Sequence, residues 1–238
     1  MFLVPAPSSF AIQKASSQKA PPQNFRIRHD RNVSKSDVRA MDKLLESQYA
    51  GLRKRLNLSF HNKADVIVCN TLNRFRAESH SYVFDDAAYR DGKIYICLET
   101  FSSKPQDMQS AITRTTARAL LDEVPGCPRW YAECYSISQS GEFTRFGQPA
   151  RLTVSSFSDL SEDYTHFERA EDAREVYAKL GYTAHFLIDR YGEKKIDLLF
   201  PHFQRGESYE EAFESVFGEK IGVIEQAWVA SLHTPLQK

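Results

Sequence analysis

The first third of the chain alternates apolar and polar residues with the period of β-strands. "NFRIRHD" places Phe25 and Ile27 on one side of a strand and arginines on the other. "DVIVCN" is a short apolar run of the kind found in buried strands. "SYVFDDAAYRDGKIYICLE" predicts two strands joined at Asp91-Gly92, a dipeptide suited to a tight hairpin. These patterns predict a small sheet in the N-terminal part of the chain.

Helical periodicity appears between the strands and dominates from Pro105 onward. Ser34 or Ser36 can cap a first helix, in which apolar residues from Val38 to Leu56 fall on one face. Further helices are predicted at about 72–77, 105–124, 128–140, 168–191, 193–204 and 208–232, the last broken near Gly218, with a surface loop or flap at 141–167. The predicted fold class is α+β, with a small N-terminal α/β lobe and mixed sheet (24–104) followed by a mainly helical lobe (105–235).

Residues 1–23 are predicted to be a disordered N-terminal segment or the remnant of a secretory signal. "MFLVPAPSSFA" is apolar with small residues near Ser9 and Ala11, as at a cleavage site, but it lacks a basic region before the apolar run. "IQKASSQKAPPQN" has almost nothing to bury and is typical of a flexible tether. We expect a periplasmic or extracellular protein, with a cytoplasmic location as the alternative.

The charge balance and the cysteine pattern limit the choice of partners. Basic and acidic residues balance at 31 each, so no general field attracts nucleic acid, and no apolar run reaches the length of a transmembrane helix. The four cysteines form no CxxC pair, and the seven histidines are scattered singly. We therefore expect no nucleic-acid partner, no transmembrane segment and four partly buried thiols. If the protein is exported, Cys69 and Cys97, each in a predicted strand, are the pair that could be bridged.

Five phrases of the chain, in order, resemble the peptidase MA-like domains of the gluzincin metallopeptidases. They are "FRIRHD", "VIVCNTLNRFRAES", "AAYRDGKIYI", "PRWYAECYS" and "YGEKKIDLLFPHFQRGESYEEAFESVFGEKIGVIEQAWVASL". The resemblance covers about residues 24–232 and implies that 24–235 form one domain with a thermolysin-like arrangement of an α/β lobe and a helical lobe.

The same resemblance implies where a zinc site would lie. In gluzincins two histidines of an HExxH helix and a glutamate on the next helix bind zinc, and the middle Glu of the motif is the general base. Those positions fall on Arg114, Arg118 and Glu133 for the ligands and on Thr115 for the base. A guanidinium has no lone pair to offer a metal, so we expect neither zinc nor any other cofactor. An Arg–Glu133 pair is expected to replace the metal as a cross-link; the alternative is that both arginines lie on a solvated face.

The expected function is that of a catalytically inactive pseudopeptidase that binds or scaffolds a protein or peptide partner, in a bacterial-type envelope. Tyr131, Cys134, Tyr177 and Tyr182 are the candidates for residues that line the old cleft. The last two resemble gluzincin transition-state tyrosines, but without a metal the sequence favours core or cleft-lining aromatics. Two alternatives stay open. One is an active hydrolase or metallopeptidase with a non-standard site, such as a Cys134–His185 pair. The other is a structural subunit of a larger assembly.

Overall fold

The protein is built on a four-stranded mixed sheet. A computed structural model describes residues 23–81, 86–101, 105–142, 149, 156–161 and 170–232. The strands are β1 (Phe25–His29), β2 (Ala64–Cys69), β3 (Ala87–Arg90) and β4 (Lys93–Cys97), in the spatial order β1-β2-β4-β3. β1, β2 and β4 are parallel, whereas β3 pairs antiparallel with β4 and forms one edge of the sheet. The predicted mixed sheet is confirmed.

Helices make up most of the rest of the described chain. They are α1 (Lys35–Leu56), α2 (Leu72–Ser79), α3 (Leu98–Phe101), α4 (Pro105–Asp122), α5 (Arg129–Ser140), α6 (Ala170–Tyr191), α7 (Glu193–Asp197), α8 (Leu199–Gln204), α9 (Tyr209–Phe217) and α10 (Ile221–Leu232). Ser34 caps α1, and Ser208 and Glu211 form a reciprocal capping box on α9. The predicted α+β class, with helices concentrated in the C-terminal part, is confirmed.

The β3–β4 hairpin forms as its turn residues predict. Asp91 and Gly92 both have positive φ, 49° and 72°, which is the conformation of a type I′ turn. Such a turn matches the twist of the two strands that it joins. It leaves β3 at the edge of the sheet, beside the helical half.

One apolar core joins the sheet to the helices through α4. Buried residues of α1, β2, β4, α4, α5 and the later helices belong to the same cluster. The opposite face of the sheet carries a much smaller cluster of Cys69, Phe75, Ala88, Tyr95 and Cys97, covered by α2. The proposed boundary between residues 104 and 105 is not tested by this packing and stays a prediction, as does the assignment of 1–23, of which only residue 23 is described.

Part of the segment that was expected to form a surface flap lies in the core instead. Residues Phe157–Ser161 form a 3₁₀ helix, and the side chain of Phe157 is fully buried. Its ring stacks on Trp130 at 4.8 Å between centroids and lies 5.0 Å from the ring of Trp228. Much of the rest of 141–167 lies outside the described residues. The prediction of a surface loop was based on the polar composition of the segment, which does not show that the side chain of Phe157 is buried.

Among the described helices, none combines the length and the apolar character that crossing a membrane would require.

Replacing Phe157 tests this anchor. Phe157→Ala should lower the free energy of unfolding by about 3–5 kcal/mol, because it removes a ring from between two buried indoles. Ser158→Ala, at the exposed neighbouring position, should change it by less than about 0.5 kcal/mol. Denaturant unfolding of both variants measures the difference. Equal, small effects would show that the segment lies on the surface.

Candidate functional site

The candidate site is built on α4, where Arg114 and Arg118 lie one helical turn apart on the same face. Both arginines are buried, with exposed fractions of 4% and 8%. α4 lies between the edge strand β3 and α5 and packs on both. The alternative that these arginines face solvent is therefore excluded.

Arg118 pairs with Glu133 of α5. Its Nε donates to Glu133 Oε1 at 2.8 Å, and the two side chains are only 10% and 12% exposed. Its Nη1 also donates to Asp122 Oδ1 at 3.3 Å. Burial alone would lower the pKa of Arg118, but the charge and hydrogen bond of Glu133 outweigh it and hold the pKa above its usual value. The predicted arginine cross-link between the two helices is confirmed for Arg118.

Arg114 has a different carboxylate partner, which the sequence did not indicate. Its Nε donates to Glu142 Oε2 at 2.7 Å, and both side chains are 5% exposed. Glu142 follows Gly141, which ends α5 in a left-handed conformation. The contact depends on the direction in which the chain leaves α5, and no spacing rule predicts that direction. Each arginine of the old motif thus has its own glutamate.

Arg114 also binds the edge of the sheet. Its Nη2 donates to the carbonyl oxygen of Ala87 at 3.0 Å. Arg90 and Lys93 flank the two-residue turn and therefore form a hydrogen-bonded pair. In an antiparallel ladder such pairs alternate with pairs whose backbone N–H and C=O groups point away from the partner strand. Ala87, three residues before Arg90, is in a pair of the second kind, so its carbonyl points away from β4. Arg114 therefore occupies one acceptor on the outer edge of β3, the last strand of the described sheet.

Thr115 lies where a gluzincin has its general base, and its hydroxyl is used within the helix. Thr115 Oγ1 donates to the carbonyl oxygens of Ala111 and Ile112, at 2.9 and 3.2 Å. The residue is 1% exposed. A hydroxyl bonded in this way cannot replace a carboxylate in accepting a proton from water.

These residues do not fit a zinc ion. Two of the three ligand positions are guanidinium groups without a lone pair, and the third, Glu133, accepts a hydrogen bond from one of them. Within the described ranges, no group of three His, Cys, Asp or Glu side chains is close enough together to hold a metal. No catalytic step through zinc can be built on these donors. The expectation that the protein contains no zinc stays a prediction.

The four residues expected to line the cleft are placed mainly in the core. Tyr131 and Cys134 are each 1% exposed, and the hydroxyl of Tyr131 donates to the carbonyl oxygen of Ile196 at 3.0 Å. Tyr182 donates to the carbonyl oxygen of Ser231 at 2.6 Å, and Tyr177 is partly buried against the same core. α5 is buried on most of its sides, and Tyr131 and Cys134 lie on sides that pack against the other helices.

A Cys134–His185 nucleophile pair is not formed. Burial raises the pKa of the Cys134 thiol well above its ordinary value, which disfavours the reactive thiolate. His185 Nδ1 instead lies 2.9 Å from Asp189 Oδ2, one turn further along α6. The structure gives this form of the enzyme alternative no support.

A polar cavity of about 550 Å³ lies between the β3–β4 hairpin and the adjoining parts of α4 and α5. Arg118 reaches its wall, so the cavity adjoins the old zinc-site position. Its polar lining residues carry both signs of charge: His80, Tyr89, Arg90, Asp91, Arg118, Asp122 and Arg129. Asp122 also accepts a hydrogen bond from the Tyr89 hydroxyl at 2.8 Å, and the guanidinium of Arg118 lies 5.5 Å from the centre of the Tyr89 ring. Its lining is mainly polar and charged, unlike the mostly apolar lining of common small-molecule pockets.

The fold and the site together define a metallopeptidase-type frame, with a helix in the HExxH position facing a glutamate on the next helix. A family model described as the Peptidase MA superfamily matches residues 115–234, just over half of the chain. The protein belongs to this superfamily. A search of curated proteins found no match.

A double-mutant cycle tests the Arg118–Glu133 pair. Glu133→Gln should lower the free energy of unfolding by about 2–4 kcal/mol, because it leaves a buried guanidinium without its main carboxylate. Arg118→Met combined with Glu133→Gln should cost less than the two single losses added, with a coupling of about 1.5–3 kcal/mol. Denaturant unfolding of the four proteins gives the coupling.

Arg74 and Glu78 of α2 provide a matched surface pair for this cycle. Their side chains are 57% and 35% exposed, with Arg74 Nη2 lying 2.6 Å from Glu78 Oε1. The same substitutions there should give a coupling of about 0.3–0.5 kcal/mol, because solvent screens the charges. Equal couplings in the two cycles would contradict a special role for burial in the α4–α5 pair.

Proposed function

We propose that the protein is a catalytically inactive member of the Peptidase MA superfamily that binds an extended segment of a protein or peptide partner. The observation that carries the proposal is the pair of buried arginine–glutamate contacts at the zinc-ligand positions. Salt bridges there stabilise the frame in which a peptidase would hold its metal. They also use the one glutamate that the family motif retains.

The cavity beside these pairs supports binding as the remaining role. It opens next to β3, the last strand of the described sheet, and an extended peptide can add to the edge of a sheet through main-chain hydrogen bonds. Arg114 already takes the outward carbonyl of Ala87. Tyr89, two residues further along, presents its backbone N–H and carbonyl on the same outer edge. The proposed ligand therefore pairs with the turn end of β3 and places its side chains against the mixed charges of the cavity.

The proposed location is the periplasm or the exterior of a bacterial-type cell. It rests on the apolar opening "MFLVPAPSSFA" and the polar tether after it, of which the structure describes only Gln23 and Asn24.

Elemental analysis tests the loss of catalysis. The purified chain should contain much less than one zinc per molecule after dialysis against a weak chelator, and it should cleave no unstructured protein substrate, because the ligand positions hold guanidinium groups. An active zinc peptidase taken through the same dialysis is the positive control. One retained zinc per chain together with peptide cleavage would overturn the proposal in favour of an enzyme with a non-standard site.

Charge reversal in the cavity wall tests the binding role. Peptides selected from a displayed random library by the native protein should bind Arg129→Glu about tenfold more weakly or worse, because Arg129 lines the cavity and is exposed. Arg53→Glu, an equal change on the exposed face of α1, should bind as the native protein does. Fluorescence anisotropy measures both affinities.

The same two variants separate binding in the cavity from a structural role. A partner that co-purifies with the native protein and with Arg53→Glu, but not with Arg129→Glu, would support a cavity ligand. Co-purification that survives both substitutions would contradict the cavity proposal and favour a subunit that assembles through another surface.

A further inference from the structure

Strand pairing brings two cysteines together at one end of the sheet. Cys69 and Cys97 end β2 and β4 and are direct register partners in this parallel pair. Both side chains belong to the small cluster beneath α2, so they point to the same face. Neighbouring strands lie about 4.8 Å apart. Disulfide bonds span Cα separations of about 4.4–6.8 Å. The register therefore places the two Cα atoms within the range of separations that disulfide bonds span.

The other two cysteines have different surroundings. Cys127 lies in the connection between α4 and α5, and Cys134 lies within α5, and both pack with the main core. All four thiols are reduced in this structure. Cys69–Cys97 is the pairing that the hydrogen bonds of the sheet enforce.

We propose that Cys69 and Cys97 form a structural disulfide bond when the chain folds in an oxidising environment. The oxidant is a disulfide, either of low molecular weight, such as oxidised glutathione, or carried by a thiol oxidoreductase. One cysteine sulfur attacks the donor disulfide and forms a mixed disulfide, and the second then displaces the remaining donor thiol. Two cysteine sulfurs are oxidised, one donor disulfide is reduced to two thiols, and the two cysteine protons pass to those thiols.

The bond should form before folding is complete. Burial raises the pKa of Cys69 to about 12, and the nearby charges of Asp30 and Glu78 add to the rise. Since the thiolate is the species that reacts, exchange in the folded, reduced protein is slow. Both thiols are fully buried beside Phe75 of α2. Oxidation is therefore expected while α2 does not cover the two thiols, as in the unfolded or partly folded chain.

Peptide mapping of the full chain tests the pairing directly. The chain is refolded from denaturant with reduced and oxidised glutathione, alkylated and digested with trypsin without reduction. Residues 64–74 and 94–114, which contain Cys69 and Cys97, should appear as one linked species, and the peptides with Cys127 and Cys134 should carry the alkyl label. Alkylation of Cys69 and Cys97, or a link from either one to another cysteine, would overturn the proposal.

Thermal unfolding gives a second readout. The bond closes a loop of about 28 residues, so the oxidised chain should unfold about 7–14 °C above the same chain refolded in reductant. Cys127→Ala should keep this difference, and Cys69→Ala combined with Cys97→Ala should abolish it. Each comparison is made within one variant, so a general loss of stability does not affect it. Equal melting temperatures of the oxidised and reduced native chain would contradict a structural bond, whatever peptide or metal the protein binds.

Discussion

A buried guanidinium must have a carboxylate partner, and this requirement organises the centre of the molecule. Arg118 reaches Glu133 within α5, and Arg114 reaches Glu142 just beyond its end, so the two pairs fix α5 against α4 at two points. In a gluzincin, a metal ion joins the same helix to the same glutamate. A charge-assisted cross-link can hold the two helices together where a gluzincin uses a metal ion. Removing either partner of such a pair, however, leaves the other as an unpaired buried charge.

The same constraint changes what the cleft can do. Arg114 binds Glu142 and also reaches the carbonyl oxygen of Ala87, so the outer edge of β3 is partly used by the protein itself. The open space lies further toward the hairpin turn, where Arg118 forms part of the wall. The same two side chains thus occupy ligand positions of the family's zinc site, bind the edge of β3 and form part of the cavity wall. The family frame is retained, and arginines stand at two of its zinc-ligand positions.

The sequence was informative wherever a property is local. Periodicity, the Ser34 and Ser208 caps and the Asp91-Gly92 turn identified the elements because each depends on a few neighbouring residues. The resemblance to gluzincins indicated that one of the two arginines would pair with Glu133, and the structure shows that it is Arg118. Glu142 and the burial of Phe157 depend instead on where the chain goes after Gly141, which no local pattern records. Tyr131 and Cys134 were misplaced because a helix that is apolar on most sides does not reveal which side faces the cleft.

The two faces of the sheet are stabilised very unequally, and this contrast explains why a covalent bond would matter on one of them. One face contributes to a core shared with α1, α4 and the later helices, and the buried ion pairs reinforce it. Among the described residues, the other face has five that are buried under the eight-residue helix α2. A cluster of this size contributes little apolar burial, so it offsets little of the entropy lost in ordering the chain from β2 to β4. A bond between register partners would shorten that loop in the unfolded state and would add its stability where burial provides least.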